Sequence, residues 1–521
     1  MGWDNARKSA LLAANRIPLD VALLVSRNAS GGGVGDEFLF ASDRRLSPGA
    51  YLDPSSVSIQ SAAVSVPDFR YQAGGFSVEI NLPGDLSASR GGGALMEAVR
   101  RGSLCRLLVG FGSGDLADYL PYKLGVINNI KLLSSVRARI EVYDVVYALR
   151  SRPTPELSSG SPQTRLFHGL AGEETTLSAG YTAGATTVTL TSVTGFETFN
   201  GTGVAKLTGN SGAPFYVKFT GVNTGSKQLT GVTAGFFGTS DENAASGNEA
   251  VSCAYLSGHP VTVLWRLLSS TGAGTNGSQD VYPEAAGFGL DQTWLDLHSI
   301  REWTTALTPA SGSLSIDLVV EEPVEDGLHY LGAILAELGI WVVQSEGQLS
   351  VRAAQDPSSP AIEAAVSVDD SMLLDFPTVD LYDPQVPYQY NRVEVVSASG
   401  TTGTSQSASV LPLRDTLSYD LSAIVWSNEG EVRTEVRNRI DDYGLYIPER
   451  ISLTIRGAFT GLTPGDFTRL TSGQIRSRFR SALSGYSDRS VFVASVQENL
   501  IGGYTEIQLL GYPLSRSDDY A

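Results

Sequence analysis

The sequence predicts a mainly β protein with some α, of the α+β class and divided into several domains. Three observations carry that prediction. At 521 residues the chain exceeds what one hydrophobic core holds together. Its 18% charged and 42% hydrophobic residues, with 56 glycines and three methionines, are the balance of a folded chain rich in strands and turns. Apolar residues recur mostly at every second position, in runs broken by glycine.

The first unit spans 1–152. Phe76, Val78, Ile80 and Leu82 alternate with polar residues, as do Ala138, Ile140 and Val142, which predicts antiparallel strands with one apolar face. Gly31-Gly32-Gly33 and Gly91-Gly92-Gly93 separate the runs, and a short helix is expected between Ala94 and Arg101. A connector rich in Pro, Ser and Gly follows from Pro153 to Gln163 and opens the second unit, 153–258. Within it, short strands at Thr187–Thr191 and Phe215–Thr220, punctuated by Gly195, Gly201, Gly209 and Gly231, predict a small inserted β module.

In the third unit, 259–380, helical spacing takes over. Val261, Leu264, Trp265 and Leu268 mark one helix, stopped at Thr271-Gly272, and Leu328, Leu331, Ile334, Leu335 and Leu338 mark a second, closed by Gly339. Trp341 and Val343, a turn at Ser345-Glu346-Gly347, then Leu349 and Val351 predict a hairpin. The last unit, 381–521, starts with a strand at Val393 and Val395 that runs into a long Ser/Thr/Gly loop. A helix through Val432, Val436 and Ile440 follows, capped by Asn428. Ile451, Leu453 and Ile455, the turn Thr463-Pro464-Gly465-Asp466, and strands at Val491–Val496 and Thr505–Leu510 complete one helix laid on a small β barrel.

Charge and motifs narrow the function. Lys and Arg number 37 against 55 Asp and Glu, and the resulting net charge of −18 repels phosphate, which argues against a dedicated nucleic-acid binder. Cys105 and Cys253, far apart and among apolar residues, are expected to be buried free thiols. Neither a signal peptide nor a membrane anchor is expected, because the apolar run Ala10 to Ala14 is short and no stretch approaches the roughly twenty residues of a span. The four histidines are isolated, so no metal site or other cofactor is expected. Glu321-Glu322, Asp369-Asp370 and Asp441-Asp442 are sequence neighbours whose side chains point apart, and they read as solvated turns and helix ends. Gly110 to Gly114 reads as a turn, and no nucleophile elbow or phosphate loop is present, so no catalytic residue is nominated. Arg476, Arg478 and Arg480 occupy alternate positions, and in an extended segment they would share one face able to dock an acidic partner surface or a neighbouring subunit. A solvated loop is the competing reading.

Several segments resemble the tail hub proteins of tailed bacteriophages, the baseplate hub among them. Thr187 to Leu190 through Gly195-Phe196, Gln228 to Val232, Phe237-Gly238-Thr239 and Gly247 are similar to a small β module recurrent in phage tail proteins. Where that module often has a histidine before its last glycine, this chain has Asn243 to Ser246. The Gly347 hairpin with its preceding helix, Tyr390-Asn391-Arg392-Val393, and Leu462 to Asp466 are similar to later hub domains. The resemblance implies that the first and last units are tube-like β-barrel domains flanking the module and the α+β domain. It further implies a homotrimer presenting six such domains to a sixfold tail tube. Its expected partners are a tail tube or distal tail protein, a tip spike or central fibre and the tape measure protein, at the virion tail tip, with DNA leaving through the bore without specific binding. Two other classes are weighed beside it. A tail-tip glycan or peptidoglycan hydrolase would need two carboxylates converging across a cleft. A receptor-binding tail protein could use Phe196, Phe199, Tyr216, Phe236 and Phe237 of the module, several of which are expected to form its core.

Overall fold

The computed structural model describes residues 20–26, 37–43, 51–66, 69–81, 101–110, 115–116, 119–134, 136–150, 166–269, 286–288, 290, 294–307, 315–383, 392–397, 400–406, 416–421, 443, 445–458, 460–514 and 518. Strands dominate it, as the alternation predicts.

The first unit contains strands β1 (Asp20–Ser26), β2 (Glu37–Ala41), β3 (Tyr51–Ile59), β4 (Ala62–Val64), β5 (Tyr71–Gln72), β6 (Phe76–Asn81), β7 (Leu104–Gly110), β8 (Leu120–Ser134) and β9 (Arg137–Asp144), then helix α1 (Val145–Arg150). Seven of the strands close a barrel in the order β1-β2-β3-β6-β9-β8-β7. The two alternating runs lie side by side, with Phe76 opposite Val142, Val78 opposite Ile140 and Ile80 opposite Ala138. They join Val21, Leu23, Val25 and Leu107 in the barrel core. The β8–β9 hairpin runs beyond that core, so that Leu132, Leu133 and Val136 near its turn are exposed. Cys105 is buried here and Cys253 in the next unit, both as free thiols. Residues 94–100 of the expected helix and the connector at 153–163 lie outside the described residues, and Arg101 is an exposed turn residue.

The inserted module holds β10 (Glu174–Thr176), β11 (Thr187–Thr189), β12 (Gly203–Thr208), β13 (Pro214–Phe219), β14 (Gly221–Asn223), β15 (Gln228–Thr230), β16 (Thr233–Phe236) and β17 (Glu249–Gly258). These make two sheets, β10-β17-β12-β13-β16 and β11-β15-β14, around Leu190, Phe196, Phe215, Phe219 and Leu229. The far half of β17 also pairs with β18 (Ile316–Val320) and so carries the sheet into the third unit.

That unit adds α2 (Pro260–Ser269), α3 (Leu297–Ala306), α4 (Gly327–Glu337) and the hairpin β19 (Ile340–Ser345) with β20 (Gln348–Ala353). Gly339 at φ +64° ends α4, and Glu346 at +51° with Gly347 at +70° makes the two-residue turn, as the glycine spacing predicts. Helix α3 has no counterpart in the sequence reading. Asp296 caps it by accepting from the Ser299 amide at 3.1 Å, and Ile300 and Trp303 supply its buried stripe.

The last unit comprises β21 (Ser367–Asp369), β22 (Thr378–Asp380), β23 (Arg392–Ser397), β24 (Gly400–Gln406), β25 (Thr416–Leu421), β26 (Glu449–Arg456), β27 (Phe467–Ser472), β28 (Tyr486–Asn499) and β29 (Tyr504–Gly511). An eight-stranded sheet runs β21-β27-β28-β29-β26-β22, with β4 and β5 of the first unit joined through β28. Among the described pairings its two end strands do not meet. The Ser/Thr/Gly tract expected to loop after Val395 instead forms β24, antiparallel to β23, because threonine fits a pleated surface well. The helix expected through Val432, Val436 and Ile440 lies outside the described residues.

One buried cluster, distinct from the barrel and module cores, draws on residues of every unit. Phe69 stacks on Trp341 at 5.4 Å between ring centroids and meets Tyr443 edge-on, while Phe492 packs against Trp341, Tyr443 and Phe467. Gly465, at φ +98°, lies so close to Trp341 that a Cβ there would fall 2.6 Å from the indole. Trp341→Ala is expected to cost about 3–5 kcal/mol. Gly465→Ala should cost more than a surface glycine substitution, because it adds a clash to an unfavourable φ. Urea denaturation followed by tryptophan fluorescence and by far-ultraviolet circular dichroism checks both. The two signals should shift together, since the cluster joins residues from the first, third and last units.

Candidate functional site

The alternation behind the arginine stripe is present. Ile475, Ser477 and Phe479 are buried, which turns Arg476 and Arg478 to the opposite side. The stripe ends there, because Arg480 opens a short 3-10 turn, Arg480–Ala482, and its side chain lies outside the described residues. Arg478 reaches across to the 381–383 segment. Its Nε donates to the Leu381 carbonyl at 2.8 Å, Nη2 donates to the Ile447 carbonyl, and the guanidinium covers the Tyr382 ring at 4.5 Å. Arg476 is exposed and donates to the Leu483 carbonyl at 3.5 Å.

Leu381, Tyr382 and Leu483 are themselves exposed, so arginine, tyrosine and leucine share one surface. Arginine and tyrosine are among the residues enriched at the centre of protein–protein contacts. Its backing is rigid. Arg450 grips Asp383 in a buried fork, Nε to Oδ1 at 2.7 Å and Nη2 to Oδ2 at 2.8 Å. The Arg478 amide donates to buried Glu449, which also accepts from Tyr486. Asp518 accepts from the Ser481 amide and hydroxyl and from the Leu514 amide. Burial alone would raise the Asp518 carboxyl, but the Leu514 amide, Ser481 and Arg489 outweigh it and hold it below the ordinary range.

A cleft of about 480 Å³ lies between α3, the β19–β20 hairpin and the start of the last sheet. Asp296, Glu302, Glu346, Glu363 and Asp466 line it, with Arg352. Three of these carboxylates bind neighbouring elements. Asp296 caps α3, Asp466 accepts from Arg352 Nε at 2.5 Å and from the Thr463 amide, and Glu363 accepts from Arg469 at 2.7 Å. The cleft is thus a seam whose polar groups join the α+β unit to the last sheet.

A second seam holds the module. Glu321 accepts from Lys206 at 2.6 Å and from the Tyr216 hydroxyl. Burial would raise its carboxyl, yet these two bonds hold it below the usual range. Nearby burial pushes the Cys253 thiol up to about 12, which keeps it protonated and unreactive. The sequence reading missed this pair: Glu321-Glu322 looks like a solvated turn, and its partner lies more than a hundred positions upstream. Phe196 and Phe199 are internal, as expected of several module aromatics, whereas Tyr216, Phe236 and Phe237 are half-buried. Lys218 sits over the Phe236 and Phe237 rings and donates to Tyr255 at 2.9 Å.

A third seam joins the barrel to the last sheet. The Tyr122 hydroxyl of β8 donates to Glu498 of β28, and burial raises the Glu498 carboxyl above its ordinary value. Among the described residues no cluster of three or more His, Cys, Asp or Glu is placed to hold a metal ion, and no helix is long and apolar enough to cross a membrane.

No protein-family model matches the sequence, and no curated protein matches it. Solved structures similar to the chain include a tail protein from Neisseria meningitidis MC58, at 12% identity and TM-score 0.39, covering 96% of this chain and 99% of that one. The prophage tail protein gp18 from Listeria monocytogenes EGD-e follows at 10% identity and TM-score 0.34, with 95% of each chain covered. A chain of a PdpA–VgrG complex is similar at 9% identity and TM-score 0.32, over 97% of this chain and 66% of its own. At such identities and TM-scores they assign no role to the chain or to any of its residues.

Two predictions arise from the seams. Asp383→Ala strands a buried guanidinium and is expected to cost about 3–5 kcal/mol, read by urea denaturation. A carboxyl whose folded pKa is raised gives stability that is whole below its unfolded value, about pH 4.3 for glutamate, and is lost as the pH rises through the folded value. Glu498→Gln, which stays neutral, is therefore expected to melt progressively higher than wild type as the pH is raised from 4.5 to 8. A difference in Tm that shrinks over that range would contradict the assignment.

Proposed function

We propose that the chain is a structural subunit of a bacteriophage tail, a hub assembling as a homotrimer below the tail tube. In this reading it joins the tube or distal tail protein to a tip spike or central fibre and meets the tape measure protein. It performs no covalent chemistry, and conformational rearrangement opens the bore. The first and last units act as the tube-like β domains of the ring. The surface bearing Arg476, Arg478 and Tyr382 contacts an acidic partner or the next subunit, and Arg480 borders it.

The observation that carries this reading is the closed seven-stranded barrel with its overhanging β8–β9 hairpin, whose apolar end faces water in the isolated chain. Such an end is expected in a subunit whose surfaces are covered by assembly. The net charge of −18 fits a wall along which DNA slides without adhering.

Mass measurement of the purified full chain, alone and with a tail-tube protein, tests the proposal. The expected result is a trimer that gains mass when the tube protein is added. A strict monomer at micromolar concentration that ignores the tube protein would overturn it.

A further inference from the structure

The end of the β8–β9 hairpin carries a distinctive mixture of side chains. Leu132, 56% exposed, and Leu133 and Val136 project into solvent between Lys131 and Arg137, which are exposed as well. Pairing continues to Ser134 opposite Arg137, with a register shift between Leu132 and Ser134 that leaves Leu133 outside the ladder. Both Arg137 and Arg139 bond to Glu79 of β6, which splints the base and leaves a cationic surplus.

A second exposed surface has the opposite character. Between β21 and β22 the chain presents Leu374 and Phe376, the latter 74% exposed, with exposed Asp375 and Asp380 beside them. This segment is also anchored. The Leu374 amide donates to the Thr454 carbonyl at 2.8 Å, the Arg456 amide donates to the Met372 carbonyl at 2.8 Å, and Leu373 bridges to Ile455.

We propose that the cationic, apolar hairpin end (Lys131, Leu132, Leu133, Val136) docks on the anionic, apolar segment (Leu374, Asp375, Phe376, Asp380) of a second copy of this chain. Charge complementarity selects the occupant. The protein as a whole is strongly acidic, so a cationic tip is drawn to a like molecule at its acidic, apolar segment. Every copy carries one tip and one segment, on different elements, so the contact is heterologous, and copies joined head to tail close into a ring when the rotation permits. Phe376 and the two leucines of the tip supply the apolar centre, and the charges around them set the register. This inference rests on the homotrimer reading above and names the surfaces that would close it.

The native cysteines make a direct test available. Cys105 and Cys253 are buried, so a cysteine added at the surface is the accessible thiol. Leu133→Cys and Phe376→Cys are made separately in the full chain, mixed in equal amounts and oxidised mildly, and the products are separated without reductant. A disulfide-linked pair is expected in the mixture only, with neither variant linking to itself. Mass measurement of the same samples before oxidation separates this inference from the reading beneath it. A trimer that yields no mixed link overturns the docking and leaves the trimer standing, whereas a monomer without links overturns both. Self-linking of Leu133→Cys, or an equal yield when Ser226→Cys in the exposed turn between β14 and β15 replaces Phe376→Cys, also overturns it.

Discussion

The rest of the structure depends on the hairpin at Ile340–Ala353 being held tightly on two sides at once. Toward the barrel, Gly347 sits against Pro121 and Tyr122, where a Cβ would come within 2.9 Å of the proline, and Gln344 donates to the Leu124 carbonyl. Toward the last sheet, Trp341 lies over Gly465, Ser345 accepts from Thr463 at 3.0 Å, and Arg352 pairs with Asp466. Backbone of two units approaches the same hairpin only because glycine occupies both contact points. Hydrophobic burial supplies the attraction here, and the absence of two methyl groups sets the distance.

How much of this was legible in the sequence follows from how local each cause is. Alternation in β6, β9 and β26 and the helical stripe of α4 are imposed by neighbouring residues, and they emerged with the expected faces buried. The Glu346-Gly347 and Pro464-Gly465 turns were equally plain, since a positive φ demands glycine at a fixed offset. Helix α3 was not seen. Most of its residues are polar, so only Ile300 and Trp303 mark its buried side, and its cap is a single aspartate in an otherwise ordinary stretch. The tract 400–406 was misread because Ser, Thr and Gly suggest a loop until a partner strand is known. Nothing nearby in the sequence marks the Glu321–Lys206, Asp383–Arg450 or Tyr122–Glu498 pairs, whose members are brought together by tertiary packing alone. Of the arginine stripe, the shared direction of Arg476 and Arg478 was legible, whereas the folding of Arg478 back onto Tyr382 was not.

Charged side chains fall into two populations. Those within the seams, such as Arg352, Arg450 and Asp466, sit at low exposure and satisfy one another, and removing one partner leaves the other desolvated. Those at the hairpin end and around Phe376 remain in water beside exposed leucine, valine and phenylalanine. The first group specifies how the units of one chain fit together. The second leaves leucine, valine and phenylalanine side chains in water at the surface of the single chain.

The long strand Glu249–Gly258 has a mechanical consequence. Its first half is hydrogen-bonded into the inserted module and its second half into Ile316–Val320 of the next unit, along one continuous backbone. A pull on the module directed along that strand strains several ladder bonds in parallel instead of peeling them one at a time, and the Lys206–Glu321 bond crosses the same joint. The module is therefore attached through a continuous strand rather than hung on a loop, and that strand leads, with one residue between, into the helix that begins at Pro260.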